Sequence, residues 1–153
     1  MSDQAEHGFT LLEMVCVLAI IAMLAAVLLP LIPRQTSRSR LQAYALETAT
    51  LLKADRNAAI RHQSDVETLV DPGTRSIHSG ASSAVLRIPD DVRFDALLPQ
   101  TCNRRVALST ISFFANGMSC GGTIALTRFD VGYEVRVNWL TGRVEIVSHA
   151  ATN

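Results

Sequence analysis

An almost unbroken apolar run near the start constrains what this chain can fold into. From Phe9 to Ile32 only Thr10 and Glu13 are polar. A hydrocarbon core of ~30 Å is crossed by about 20 apolar residues in a helix. The run can therefore anchor the chain in a bilayer, leaving the remaining residues to fold as an appended domain. Glu13 lies inside it. An ionised acid at the bilayer centre costs roughly 2.5–3.5 kcal/mol on insertion scales, so Glu13 needs a cationic partner. The flank offers one. Gly8 is small and precedes the bulky Phe9. Cleavage between them would release an α-amine, whose pKa is about 8, one helical turn before Glu13, so that amine and carboxylate share a face. The pair can close within one chain or between chains packed side by side.

Gly8, Phe9, Thr10, Leu11, Leu12 and Glu13, followed by the apolar run, resemble the class III signal of type IV prepilins and type II secretion pseudopilins. The resemblance implies a membrane prepilin peptidase that cuts after Gly8 and N-methylates Phe9. It implies that Glu13 guides docking into a helical filament. The partners it implies are other major and minor pseudopilins and an inner-membrane assembly platform, with the lipid bilayer holding the subunit before assembly. One departure is that residues 1–7 contain no Lys or Arg, whereas Arg34, Arg38 and Arg40 follow the apolar run. Charge bias alone favours the reverse orientation. The cleavage motif is the more specific signal, and it sets the expected topology: one pass through the inner membrane, head in the periplasm. A secretory signal peptide fits poorly, since it needs a basic start and a cut after the apolar core. The expected segments are a leader at 1–8, a membrane and assembly helix at 9–33, an amphipathic continuation at 34–63 and a β-rich head at 64–153.

Without leader and anchor roughly 120 residues remain, enough for one modest domain. The formal net charge is zero and charged residues make up 18%, which weighs against bulk electrostatic binding of nucleic acid. Cys16 reads as a small apolar residue of the anchor. Cys102 and Cys120 fall in the exported part, where an oxidising compartment permits a disulfide between them. Closing that loop would contribute about 3 kcal/mol in the chain-entropy model. The alternative is two unpaired thiols.

Pro30 and Pro33 mark the membrane exit and predict a kink, because each removes a backbone donor and disfavours helix in the residue before it. Residues 34–62 contain no Gly or Pro. Leu41, Ala45, Thr48, Leu52 and Ala59 recur at helical spacing with Leu51 beside them, against a polar surface of Arg38, Gln42, Lys53, Arg56 and Asn57. This predicts an amphipathic helix packed on the following domain. Short strands follow. Residues 66–70 and 75–78 flank the turn Asp71-Pro72-Gly73-Thr74, and residues 84–88 form a strand stopped by Pro89. A further short strand is expected at 92–94, an irregular stretch at 95–104, and a strand at 106–114 with a phase slip after Leu108. Asn116-Gly117 is a turn, followed by a strand at 122–128. Period-two alternation from Tyr133 predicts that Tyr133, Val135, Val137 and Trp139 are buried on one face, with Val144 and Ile146 continuing the set beyond the Thr141-Gly142 turn. The fold class is α+β, an apolar stalk helix followed by an antiparallel sheet or sandwich.

Ile111-Ser112-Phe113-Phe114-Ala115-Asn116-Gly117, then Gly121-Gly122-Thr123-Ile124, then Val137-Asn138-Trp139-Leu140-Thr141-Gly142-Arg143-Val144 look like the head of GspH/FimT-type minor pseudopilins. The resemblance implies a minor subunit near the tip of a pseudopilus that helps export folded proteins. The motif residues are expected to be structural, with Phe113, Phe114 and Trp139 in the core. No catalytic constellation is visible. His62, His78 and His149 are scattered, with no metal-ligand spacing. Asp90-Asp91 reads as a turn or surface acidic pair, and Gly121-Gly122 is too weak for a phosphate cradle. No enzyme activity, metal or cofactor is expected. The alternative reading is a minor type IV pilin that primes pili for adhesion, motility or DNA uptake, the last in a DNA-binding version. That version would rely on Arg104-Arg105 with Arg128, Arg136 or Arg143; the neutral composition makes nucleic acid an unexpected partner.

Overall fold

A computed structural model describes residues 10–28, 36–107 and 109–150. The chain divides into two units, Met1–Gln35 and Thr36–Asn153. In the first, helix α1 spans Leu11–Leu28, 18 residues. Its large side chains are exposed along its length, from Leu11 and Leu12 to Leu18 and Met23. A helix apolar all round needs lipid or other helices to cover it. No helix among the described residues is long and apolar enough to cross a membrane. At 1.5 Å per residue α1 is about 27 Å long, just under the ~30 Å core. Phe9 and residues 29–33, which extend the apolar run in the sequence, lie outside the described residues, as does the kink expected at Pro30 and Pro33.

In the second unit, helix α2 spans Arg38–His62. It starts later than residue 34. Thr36 is not helical, and Ser37 adopts extended backbone and caps the helix, its hydroxyl accepting from the Arg40 amide at 3.3 Å. Gln63 ends it in the left-handed region, φ 50°. The buried stripe is Leu41, Ala45, Thr48, Ala49, Leu52, Asp55, Ala58 and Ala59.

Two four-stranded antiparallel sheets follow. The first has the order β3-β2-β1-β7, from Val85–Arg87, Ser76–His78, Val66–Asp71 and Thr110–Phe113. The second has the order β10-β9-β8-β4, from Val144–Ala150, Val131–Val137, Gly122–Arg128 and Arg93–Leu97. A separate two-stranded hairpin joins β5, Thr101–Cys102, to β6, Arg105–Val106. Helix α2 packs against β1 and β7 of the first sheet and β8, β9 and β10 of the second. One core therefore serves all three layers. Leu41, Leu52, Val70, Ile77, Ile111, Phe113, Ile124, Leu126 and Val135 are fully buried in it. Strand β1 shows why the sheet faces inward as it does: Val66, Thr68 and Val70 are buried while Glu67 and Leu69 are exposed, the period-two pattern of a half-buried strand.

The β1–β2 turn is held by Asp71, whose carboxylate accepts from the Gly73 and Thr74 amides and the Thr74 hydroxyl. Those bonds, the Thr74 hydroxyl first, hold its carboxyl below the usual carboxylate range.

The second half of the head departs from the sequence reading in five places. Residues 95–104 are not irregular: β4 runs to Leu97, and Cys102 sits in β5. The strand expected at 106–114 is interrupted, because Ser109 takes φ 62° and β7 begins only at Thr110. Trp139 is 63% exposed rather than core. Strand β9 stops at Val137, and the Asn138 side chain accepts from the Leu140 and Thr141 amides, turning the chain before the alternation can continue. Phe114, past the end of β7, is half-buried, and Ile146 on the edge strand β10 is partly exposed.

Candidate functional site

Glu13 lies in the first turn of α1. Thr10 closes that turn: its hydroxyl accepts from the Glu13 amide at 3.3 Å and its carbonyl accepts from the Glu13 and Met14 amides. A helix N-terminus favours a carboxylate there. Among the described residues no cation pairs with it. Gly8 and Phe9, the expected cleavage and methylation positions, lie outside the described residues.

The head begins with a clamp on Thr36, which is buried. Its amide and hydroxyl donate to Asp91 at 2.6 and 2.8 Å, and its carbonyl accepts from Arg128. Arg128 also pairs with Asp91 at 3.3 Å and lies over the Phe129 ring. Asp91 is therefore a fastening point and not only a surface acid. The Thr36 amide first, then its hydroxyl and the Arg128 charge, hold the Asp91 carboxyl below the usual carboxylate range. A depressed folded pKa stabilises the fold above the unfolded value of about 3.9, and that stabilisation is lost as pH falls through the folded value. Hydrogen exchange at the start of α2 is expected to accelerate in that acid window, and Asp91→Asn to remove the pH dependence. An unchanged acid profile in the variant would exclude Asp91 as the titrating group.

A second junction joins the two glycine turns. Arg56 donates from Nε to the Gly117 carbonyl at 3.1 Å and from a terminal nitrogen to the Thr141 carbonyl at 3.0 Å. The exposed Trp139-Leu140 pair thus rides on a hairpin braced from α2, and the Trp139 carbonyl accepts from the Ser119 amide. Beside it a groove of about 740 Å³ is lined by Cys102, Asn103, Phe114, Met118, Cys120 and Trp139 among others. Cys102 and Cys120 form a disulfide, Cα–Cα 5.7 Å. Cys16 is a free thiol on α1.

The N-terminal residues 3–29 match the family described as the prokaryotic N-terminal methylation motif. Type II secretion system protein H of Xanthomonas campestris pv. campestris is 32% identical over 139 residues, covering 90% of this chain and 81% of that one. The chain belongs to the type II secretion protein H family. The head fold agrees. The minor pseudopilin EpsH from the type 2 secretion system of Vibrio cholerae superposes with a TM-score of 0.56 at 12% identity, covering 70% of this chain and 95% of that one. The type IV minor pilin FimU of Pseudomonas aeruginosa gives 0.53 at 19% identity, covering 73% and 91%. At those identities the likeness is one of fold.

Several charged residues of this H-family chain pair within the head. Of the arginines that a nucleic-acid reading would need, Arg104 and Arg105 are exposed, whereas Arg128 faces Asp91, Arg136 faces Glu134 at 2.5 Å and Arg143 faces Glu145 at 2.9 Å. Among the described residues no group of three or more His, Cys, Asp or Glu is placed to hold a metal ion. His78 instead bonds through Nε2 to the Ser76 hydroxyl. Sequence reasoning missed two anchoring residues on α2. Arg56, assigned to the polar surface, braces both turns. Asp55 is fully buried, and its carboxylate accepts from Thr68 Oγ1 at 2.6 Å, Ser79 Oγ at 2.5 Å, the Gly80 amide at 3.0 Å and the Ala81 amide at 3.3 Å. Its position was the available signal, three residues after Leu52 and four before Ala59 on the apolar stripe.

Proposed function

We propose that this chain is the H-type minor pseudopilin of a type II secretion system. In this reading it is made as a prepilin, held by its apolar helix in the inner membrane with the head in the periplasm, and then moved into a pseudopilus that helps export folded proteins. The observation that carries the reading is the named relative that matches over 90% of the chain. The role is mechanical. A prepilin peptidase cuts after Gly8 and methylates Phe9, the platform lifts the subunit out of lipid, and α1 buries its apolar surface against the helices of other pseudopilins. Glu13, which pairs with no cation among the described residues, then meets a neighbour's terminal amine and sets the register of the bundle. The minor type IV pilin alternative rests on fold likeness to FimU alone.

Two measurements on one pair of strains test this. Intact mass of the membrane-extracted wild-type protein should correspond to a chain starting at methylated Phe9. Glu13→Val should leave the protein processed and membrane-bound but lower its incorporation into the filament. Leaving one member of a buried pair alone costs about 3–5 kcal/mol, on the order of a hundredfold or more in occupancy. An uncut leader in secreting cells would reject the prepilin reading. Wild-type incorporation of the variant would reject the register role.

A further inference from the structure

We propose that the Cys102–Cys120 disulfide is a redox latch: it holds the β5–β6 hairpin against the head, and reducing it frees that flap while the core stays folded. Three observations converge on this. First, the flap has little else to hold it. Strands β5 and β6 are two residues each and pair with each other, outside both main sheets. From residue 101 to 107 only Cys102 and Ala107 are buried, and Val106 is 74% exposed. None of these residues belongs to the hydrophobic core cluster. With so little apolar area removed from water, burial contributes little. The backbone bond from the Ala107 amide to the Gln100 carbonyl closes the flap on itself rather than onto the sheets.

Second, the loop of the flap carries one residue that resists its geometry. Asn103 and Arg104 take φ 49° and 64°, the left-handed pair that a two-residue hairpin loop requires. Asn accepts that region readily, whereas Arg enters it at a cost. Third, the other end of the bond is fixed. The Cys120 amide donates to the Ser112 carbonyl at 3.1 Å. Ser119 is tied on both sides, its hydroxyl donating to the Ser112 carbonyl and its amide to the Trp139 carbonyl. The disulfide therefore couples a weakly held hairpin to a point shared by β7 and the end of β9.

The flap supplies Cys102 and Asn103 to one wall of the groove beside Trp139. Opening the latch removes that wall. The chemistry is thiol–disulfide exchange. Closing transfers two electrons and two protons from the two thiols to the disulfide of an oxidising oxidoreductase, which leaves as a dithiol. Opening is the reverse, with a dithiol as the reductant. The choice of oxidising and reducing partners rests on the periplasmic reading above; the latch itself does not.

The test is hydrogen exchange on the full chain in detergent, oxidised and then treated with dithiothreitol, alongside the Cys102→Ser/Cys120→Ser variant. Amides across residues 102–107, Ala107 foremost, should exchange at least about tenfold faster when reduced, while α2, β8 and β9 keep their protection. Emission from Trp139, the chain's one tryptophan, should change in step. Unchanged exchange in the flap would mean that other contacts hold it, and faster exchange throughout the head would make the disulfide a global staple. Either result overturns the latch. The treated wild type keeps the proposal testable if the double variant does not fold. An uncut leader in cells would reject the secretion reading without altering these rates.

Discussion

Replacing Asp55 with Leu is expected to cost the head roughly 4 kcal/mol or more, read as a lowered urea midpoint of the oxidised full chain in detergent. Two hydroxyls and two amides converge on one fully buried carboxylate. Leucine is bulkier and accepts nothing, so Thr68, Ser79 and Gly80 lose the carboxylate together, and the Ala81 amide keeps only the Ser79 hydroxyl at 3.2 Å. Each buried unsatisfied donor costs about 1–3 kcal/mol, and some relief comes from water reaching the partly exposed loop. Asp55→Asn should cost less, because its amide oxygen still accepts while its NH₂ opposes the donors on the other side. The loss should appear first as faster exchange at residues 79–81. A cost below about 1 kcal/mol for the Leu variant would mean that this network does not hold the loop to α2.

Gly142→Val is expected to be the most damaging change in the hairpin that carries Trp139, by about 3 kcal/mol or more. Gly142 takes φ 61°, a region a β-branched residue enters at high cost. A Cβ there would run into the Gly117 carbonyl oxygen and lie 2.8 Å from Arg56 Nε. The decisive obstacle is backbone, so Arg56→Ala should not rescue the variant. It removes the brace between the two turns and should add its own loss. Thermal unfolding of the two single variants and the double variant separates these possibilities. Recovery in the double variant would show that the arginine side chain, and not the carbonyl, sets the limit.

Much of this architecture could be read in advance wherever a period is long and uninterrupted. The α2 stripe from Leu41 to Ala59 and the β9 alternation from Tyr133 to Val137 are visible in the sequence because burial repeats along them. The Asp71-Pro72-Gly73-Thr74 turn is legible for a local reason: Asp71 bonds its own turn. The failures share a cause of the opposite kind. Trp139 continues the alternation in sequence, yet Asn138 ends the strand with side-chain bonds that hydrophobic period does not report. Asp55 and Arg56 are adjacent polar residues, and only Arg56 falls on the polar face of the helix pattern. One lies on the buried stripe, and the other reaches turns 61 and 85 residues away. The Thr36 clamp spans 55 residues to Asp91 and 92 to Arg128. Contacts of that separation depend on the assembled sheets, which no local pattern encodes. At the signal segment the situation is reversed. The apolar run and Glu13 are plain in the sequence, while the amine that would complete the pair belongs to residues outside those described.

The clamp on Thr36 also has a mechanical side. A pull on the N-terminal side of the head loads it at that residue, ahead of the first turn of α2. A helix pulled from its end unzips one bond at a time, the weakest way to load it. Here the pull meets three bonds at once, from both backbone groups and the hydroxyl of Thr36, and these distribute it to Asp91 and Arg128. Arg128 ends β8, the strand paired on both sides within the second sheet. Force applied at the start of the head is thereby delivered to a load-sharing lattice rather than to the end of a single helix.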